Sequence, residues 1–435
     1  MLQKKSISKI YIKNTSWLLL ERVFRTLCNI FVGVFLARYL APENFGVYTY
    51  VIAIVGIFSG VAKLGLDSVV VRELSISHLS KNKILGTAFR LKLVISLGIF
   101  FIYLAVVSLS NSIATIQFYI SLVLFCNVFQ SFEVVDFYFQ AEVKNRMISI
   151  FKSLQVLIAT LVKLIFVYFN ATLEWFLFLI IFDWFLLSLF YGASYLFDKN
   201  KLKVLCIFDS KIAKKLLSSS WPVMLALISS MLYMRIDQLM IQHFLGYESL
   251  GMYSVATKFY EAWLMLPVIL SISVMPLLST IGTSPSPNSH QKITIIYAIA
   301  FWASVIFAII STLFSETIIL LLFGISYSEA IIYLEIVVWI APIAAIGSIS
   351  TRHLIGIGKE KKVFYRTITG LIINIFLNLL MIPRFGLMGA IISTGVCIFI
   401  THILFTFLDK ELSSIRSNII DSINVWRLFK KFSIY

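Results

Sequence analysis

Long apolar runs separated by short polar connections dominate the chain. They lie near 16–39, 46–66, 91–109, 116–139, 147–169 and 173–197, and again near 216–245, 252–279, 293–314, 331–355, 363–382 and 386–408. Each is long enough, at about 20 residues or more, to cross a hydrocarbon core of roughly 30 Å as a helix. The pattern predicts an all-α, polytopic integral membrane protein of about twelve transmembrane helices. The piece around Ser315-Glu316-Thr317, ending at Gly324, either extends the ninth span or lies at the surface. The first apolar run follows a basic start but is too long for a signal peptide, and it carries Glu21, Arg22 and Arg25, so it reads as a retained span.

Composition agrees with that reading. Of 435 residues, 60% are hydrophobic and 13% charged. Mean hydropathy is +0.94. A soluble domain averages about 25% charged residues, so a cytosolic enzyme is excluded. Of 37 Lys and Arg, only Arg38 and Arg384 fall at the ends expected outside. Most of the others fall on the N-terminal segment, the connections after every second span and the C-terminal segment. This bias predicts cytoplasmic N- and C-termini. It also accounts for the net charge of +16 as contact with membrane lipids rather than nucleic acid.

An internal repeat is visible. Ser16-Trp17 and Ser220-Trp221 open the first and seventh spans, and Leu40, Glu43, Gly46 and Tyr48 recur, all at an offset of 205, as Leu245, Glu248, Gly251 and Tyr253. Two six-helix bundles related by pseudo-symmetry follow, with a cavity expected where they meet. The expected segments are an N-terminal bundle at 1–200, a basic cytoplasmic linker at 201–215, a C-terminal bundle at 216–408 and a basic cytoplasmic tail at 409–435.

Ionisable groups at membrane depth are costly and mark function. Arg22, Arg25 and Asn29 share one face of the first span, with Glu21 four residues before Arg25. Arg235 shares a face of the seventh span with Gln238 and Gln242, while Asp237 points away. Lys258 with Glu261, and Lys63 with Asp67, have the spacing of local ion pairs. Lys163 has no carboxylate within a turn, and Asp183 lies deep in the sixth span. Gln130, Glu133 and Asp136 form a polar band on the fourth, where surface exposure competes with an interior role.

Taken together, these groups suggest a polar cavity with more cations than carboxylates. It suits an anion, and Arg suits phosphate or pyrophosphate through paired hydrogen bonds. The candidate substrate-binding cations are Arg22, Arg25, Arg235 and Lys258, and the polar lining is Asn29, Gln130, Gln238 and Gln242. Candidates for a coupling proton or sodium ion are Asp183, Asp237, Glu133 and Glu261. Pro222, Pro267, Pro276 and Pro342 interrupt helices of the second half, either as hinges or as static kinks. No phosphate-cradling Gly-Lys-Ser/Thr loop, metal-spaced cysteines or histidines, or hydrolytic triad is present in the sequence, so no metal or organic cofactor is expected.

Ala37-Arg38-Tyr39-Leu40-Ala41-Pro42-Glu43-Asn44-Phe45-Gly46-Val47-Tyr48 resembles the first-span motif of bacterial polysaccharide transporters, the Wzx-type O-antigen flippases. Phe139-Gln140-Ala141-Glu142 is similar to that family's Gln-Gly-x-Glu turn, with Ala141 in place of glycine. Arg235-Ile236-Asp237, Leu322-Phe323-Gly324 and Phe385-Gly386-Leu387-Met388-Gly389-Ala390 add to the resemblance. It places the chain in the multidrug/oligosaccharidyl-lipid/polysaccharide exporter superfamily. It implies a secondary transporter, not an enzyme, that flips undecaprenyl-pyrophosphate-linked oligosaccharide across the bacterial inner membrane by alternating access. A polysaccharide polymerase and a chain-length regulator would be its partners. The alternatives are a multidrug or cation exporter of the same superfamily, and a membrane polysaccharide polymerase or ligase. The first would favour a cavity dominated by carboxylates, and the second a long outer loop.

Overall fold

The computed structural model describes residues 2–76, 81–109, 115–198, 202–273 and 287–424, and the side chains of 14, 16–76, 81–109, 115–198, 202–271 and 291–424. Pro276, Lys199, Lys201, Arg427, Lys430 and Lys431, and the side chains of Lys4, Lys5, Lys9 and Lys13, lie outside the described residues. The helices are α1 Leu2–Ala62, α2 Leu66–Ile76, α3 Lys81–Leu109, α4 Thr115–Leu124, α5 Val134–Ala141, α6 Asn145–Tyr168, α7 Leu173–Phe197 and α8 Ser210–Ser273. They continue as α9 Pro287–Leu313, α10 Ser315–Leu322, α11 Ala330–Val337, α12 Ala341–Gly356, α13 Glu360–Phe399, α14 Phe405–Leu408 and α15 Ser413–Ile423.

Among the described residues, nine helical stretches are long and apolar enough to cross a membrane. Three are about double length: Ser16–Ile76, Ser210–Ser271 and Glu360–Leu408. A straight helix of 61 residues would extend about 90 Å at 1.5 Å per residue, three times the hydrocarbon core. Each instead leaves helical geometry partway along, at Ala41, Gly246 or Gly386, and Ser16–Ile76 breaks again at Leu64 and Gly65. The nine stretches therefore supply the twelve passes read from the sequence. The expected polar turns at 40–46 and 246–251 are folded into helical backbone around a single reversed residue.

Ala41 and Gly246 occupy equivalent positions of the repeat and nearly the same backbone conformation, φ 60°, ψ 171° and φ 86°, ψ −176°. Only glycine adopts that region without cost, and Ala41 bears the strain of a Cβ there. The two turns also approach each other closely. A Cβ on Gly46 would lie 1.8 Å from the Tyr247 carbonyl oxygen, and one on Gly251 2.0 Å from that of Pro42. The repeated glycines are the residues that permit this reciprocal contact.

The chain divides into two compact units, residues 1–40 with 47–231, and 41–46 with 232–435. The core of the first packs Leu66, Val70, Leu85, Phe139 and Ile148 together with Leu205 and Leu216. The expected linker therefore contributes apolar side chains to this unit and is helical from Ser210. The core of the second contains Ile293, Tyr297, Ile349, Leu412, Ile415 and Ile419. The segment expected as a tail thus docks through α15, and Lys359 and Lys362 bind Glu411 at 3.0 and 2.8 Å beside it.

Three spans among the described residues contain 3-10 or π turns. Phe125–Glu133 is a 3-10 segment of nine residues between α4 and α5, where such runs seldom exceed 3–4 residues. Ile400–Leu404 is a π-helical turn between α13 and α14. Of the prolines, Pro222 and Pro267 lie within helical backbone, and Pro342 sits in the first turn of α12, next to a 3-10 turn at Val338–Ile340.

Ala41→Gly should raise stability by about 1 kcal/mol, the removed strain exceeding the added chain entropy; thermal unfolding in detergent measures it. Hydrogen bonds from Lys362 and Lys359 hold the Glu411 carboxyl at about 2, below its ordinary 4.5. A depressed carboxyl stabilises the fold above 4.5 and loses that contribution as pH falls towards 2. Hydrogen exchange over Ser413–Ile423 should therefore accelerate across that window, and less so in Glu411→Gln.

Candidate functional site

The first unit carries a buried chain of ion pairs. Arg25 Nε donates to Glu21 at 2.7 Å, Lys152 bridges Glu21 at 3.5 Å and Asp136 at 3.2 Å, and Gln140 donates to Asp136 at 3.3 Å. Glu133 receives Lys92 at 2.8 Å and Lys63 at 3.8 Å. Lys92 is only 1% exposed, so its ammonium depends on that carboxylate. Lys163 on α6 pairs with Asp183 on α7.

Apart from Arg25 with Glu21 and Gln140 with Asp136, each four residues apart, these partners come from different spans, so neighbouring sequence could not reveal them. Lys163 is compensated after all, and the cations named within this unit mostly have carboxylates facing them. That differs from the expected cationic excess. The Lys63–Asp67 pairing fails because the chain reverses between them, with positive φ at Leu64 and Gly65, and the i,i+4 helical register is lost. Lys63 turns to Glu133, and Asp67 Oδ1 is buried without a hydrogen bond.

A cavity of about 180 Å3 opens on this network, lined by Arg25, Asn29, Gln155, Lys163, Asp183 and Trp184 among others. Arg25 Nη2, Gln155 Oε1 and Asp183 Oδ1 are buried there without partners. The unused guanidinium nitrogen makes Arg25 the predicted cation best able to accept a further anion. Arg22 is exposed, and Asn29 is exposed at the cavity. Gln130 is buried on the 3-10 segment, and its Oε1 has no partner.

The second unit solves its buried charge differently. Asp237 on α8 is 8% exposed. It accepts hydrogen bonds from Asn378 at 2.5 Å, Thr394 at 2.7 Å and Tyr253 at 3.2 Å. Asn378 also donates to Asn374 at 3.2 Å. No Lys, Arg or His among the described residues forms an ion pair with Asp237. The carboxylate borders a cavity of about 210 Å3 with Tyr253, Thr257, Tyr260, Glu261 and His402.

Arg235 is half-buried and reaches only Gln238, at 3.5 Å; Gln242 is half-buried further along the same helix. The Lys258 ammonium lies 5.1 Å from the Phe45 ring centroid, and Glu261 is exposed. The predicted residues therefore fall into two groups. Arg25, Asn29 and Asp183 meet at the first cavity, and Asp237, Gln238 and Glu261 at the second.

Sequence reasoning missed Lys92, Lys152, Asn374, Asn378 and Thr394. Asn374 and Asn378, four apart in an apolar run, were the available signal. It also missed Arg366, which sits near the start of the span at 363–382, counts with the basic inner connection before it, and yet is 3% exposed and donates to Ser350 at 2.9 Å and to Thr351.

A helical membrane fold with charge kept at two interior cavities is that of a transporter. The profile of the "Polysaccharide biosynthesis protein" family matches residues 11–282, and the MatE profile matches 222–380. The chain belongs to the polysaccharide biosynthesis protein family. It is 25% identical over 423 residues to the Shigella flexneri protein named "Putative O-antigen transporter", covering 94% of this chain and 99% of that one. Its fold matches an inward-facing multidrug resistance MATE family transporter of the MOP superfamily, with TM-score 0.74, 16% identity and coverage of 90% and 96%. It also matches lipid II flippase MurJ in an inward closed conformation, with TM-score 0.71, 16% identity and coverage of 96% and 91%. The relatives are transporters and flippases, and the multi-pass fold is that of the superfamily the sequence motifs resemble.

Glu133→Gln should leave the Lys92 ammonium buried without a counter-charge and cost about 3–5 kcal/mol. Thermal unfolding in detergent should show the loss, and the double variant Glu133→Gln/Lys92→Met should recover most of it.

Proposed function

We propose that this protein flips an undecaprenyl-pyrophosphate-linked oligosaccharide, an O-antigen or related repeat unit, across the cytoplasmic membrane by alternating access driven by a coupling cation. The reading rests on one observation above all. Asp237 is a carboxylate buried in a membrane span, held by neutral donors and facing a cavity. A buried charge so arranged calls for a proton or a small cation whenever its surroundings lose water. Asp237 is therefore the coupling site. Asp183 and Glu133, already engaged by lysines, serve the first unit's ion pairs instead.

Arg25, with its free nitrogen, takes the diphosphate in the first unit, and Arg22 assists; Arg235 is a candidate cation of the second unit. Polar groups such as Asn29 and Gln155 bind sugar hydroxyls. Family membership and the O-antigen transporter relative support the substrate class. The protein would reside in the inner membrane with cytoplasmic termini and deliver its cargo to a polymerase governed by a chain-length regulator. A second reading has a specific observation in its favour. The second cavity joins two carboxylates, Asp237 and Glu261, to Tyr233, Tyr253 and Tyr260, a lining suited to an organic cation.

A strain lacking the gene should accumulate lipid-linked oligosaccharide on the cytoplasmic face, and the wild-type gene should clear it. Asp237→Asn and Arg25→Ala should each lower surface polysaccharide at least about tenfold, the loss of one functional charge contact, at unchanged membrane abundance. Normal export in both variants would refute the assignment, and drug sensitivity without a polysaccharide defect would favour the cation exporter.

A further inference from the structure

A further cavity in the first unit, about 560 Å3, has a lining distinct from both sites above. It is lined by Trp17, Phe139, Lys144, Arg146, Ile150 and Asp198 among others, at the turn that joins α5 to α6. Four features define what it fits. First, Lys144 is satisfied, its ammonium 2.9 Å from both Asp198 carboxylate oxygens. Second, Arg146 is not. Its guanidinium carbon lies 5.6 Å from the Trp17 ring centroid, and among the described residues it has no hydrogen bond or ion pair. Among the described lining residues, Lys144 and Asp198 cancel and one net positive charge remains.

Third, the wall is largely apolar and continues along α6. Ile150, Leu154, Leu157, Leu161 and Ile165 are 47%, 43%, 43%, 51% and 50% exposed. Their spacing puts them on one helix face, about 22 Å long at 1.5 Å per residue, more than the roughly 15 Å of hydrocarbon in one leaflet. Fourth, the basic residues put this end of α6 at the cytoplasmic surface. A free phosphate would make no use of the apolar face, and a diphosphate would bring more negative charge than the rim balances.

We propose that this cavity is a binding site for one anionic glycerophospholipid of the inner leaflet, with its phosphodiester on Arg146, its glycerol region against Trp17 and an acyl chain along the exposed face of α6. The site is distinct from transport of the oligosaccharide and does not depend on that reading.

The test uses the full-length protein in nanodiscs of phosphatidylcholine containing a minority of phosphatidylglycerol. The lipids retained after detergent extraction are identified by native mass spectrometry. The wild type should retain phosphatidylglycerol about fivefold over phosphatidylcholine, the preference one basic residue confers at an anionic surface. Arg146→Gln should abolish the preference, Arg146→Lys should keep part of it, and Lys211→Gln should leave it unchanged. Equal retention of both lipids by the wild type, or an undiminished preference in Arg146→Gln, would overturn the proposal. So would displacement of phosphatidylglycerol by an equimolar polyprenyl diphosphate, which would make the cavity a substrate entry site instead.

Discussion

Charge inside hydrocarbon must be answered by charge or by a dense set of hydrogen bonds, and this requirement organises the interior of the protein. An isolated ion at membrane depth costs several kcal/mol even after local relaxation. In the first unit the answer is ionic. Lys92 and Lys63 meet at Glu133, Lys152 links Glu21 to Asp136, and Lys163 finds Asp183. Because each pair joins different spans, the same contacts that neutralise the charges also fix how the helices pack. In the second unit the answer is dipolar: Asn378, Thr394 and Tyr253 surround Asp237.

That difference sets the two units apart in how they hold buried charge. Ion pairs are self-sufficient, and removing either partner is costly. The Asp237 carboxyl, held by neutral donors beside a cavity, has no such fixed partner. The repeat that relates the lobes survives at the turns, where Gly46 and Gly251 admit a reciprocal backbone approach. It has been lost in the chemistry of the spans between.

The sequence made the architecture legible because hydrocarbon imposes a length on every span and a charge bias on every connection. The double helices still eluded it. Apolar periodicity runs through the reversals at Ala41, Gly246 and Gly386 without a break in composition. Candidate charges were legible one by one, since Arg25, Asp183 and Asp237 stand out against apolar neighbours. Their partners were not. Lys163 and Asp183 are twenty positions apart, Asp237 and Thr394 more than a hundred and fifty, and only tertiary packing joins them. Arg366 was misplaced because a basic residue near a helix end has the same local sequence whether it faces water or turns inward.

The 3-10 segment at Phe125–Glu133 has a geometric corollary. Each residue advances about 120° around a 3-10 axis but about 100° around an α axis. Over nine residues the difference accumulates to roughly half a revolution, with about 4 Å of extra rise. Were that segment to rewind as α-helix, Glu133 would swing towards the opposite side of its own axis and be drawn along it. Lys92 and Lys63 would then have to follow or lose their anion. The fourth span is wound like a screw against a charged stop, and its pitch and the first unit's ion balance can change only together.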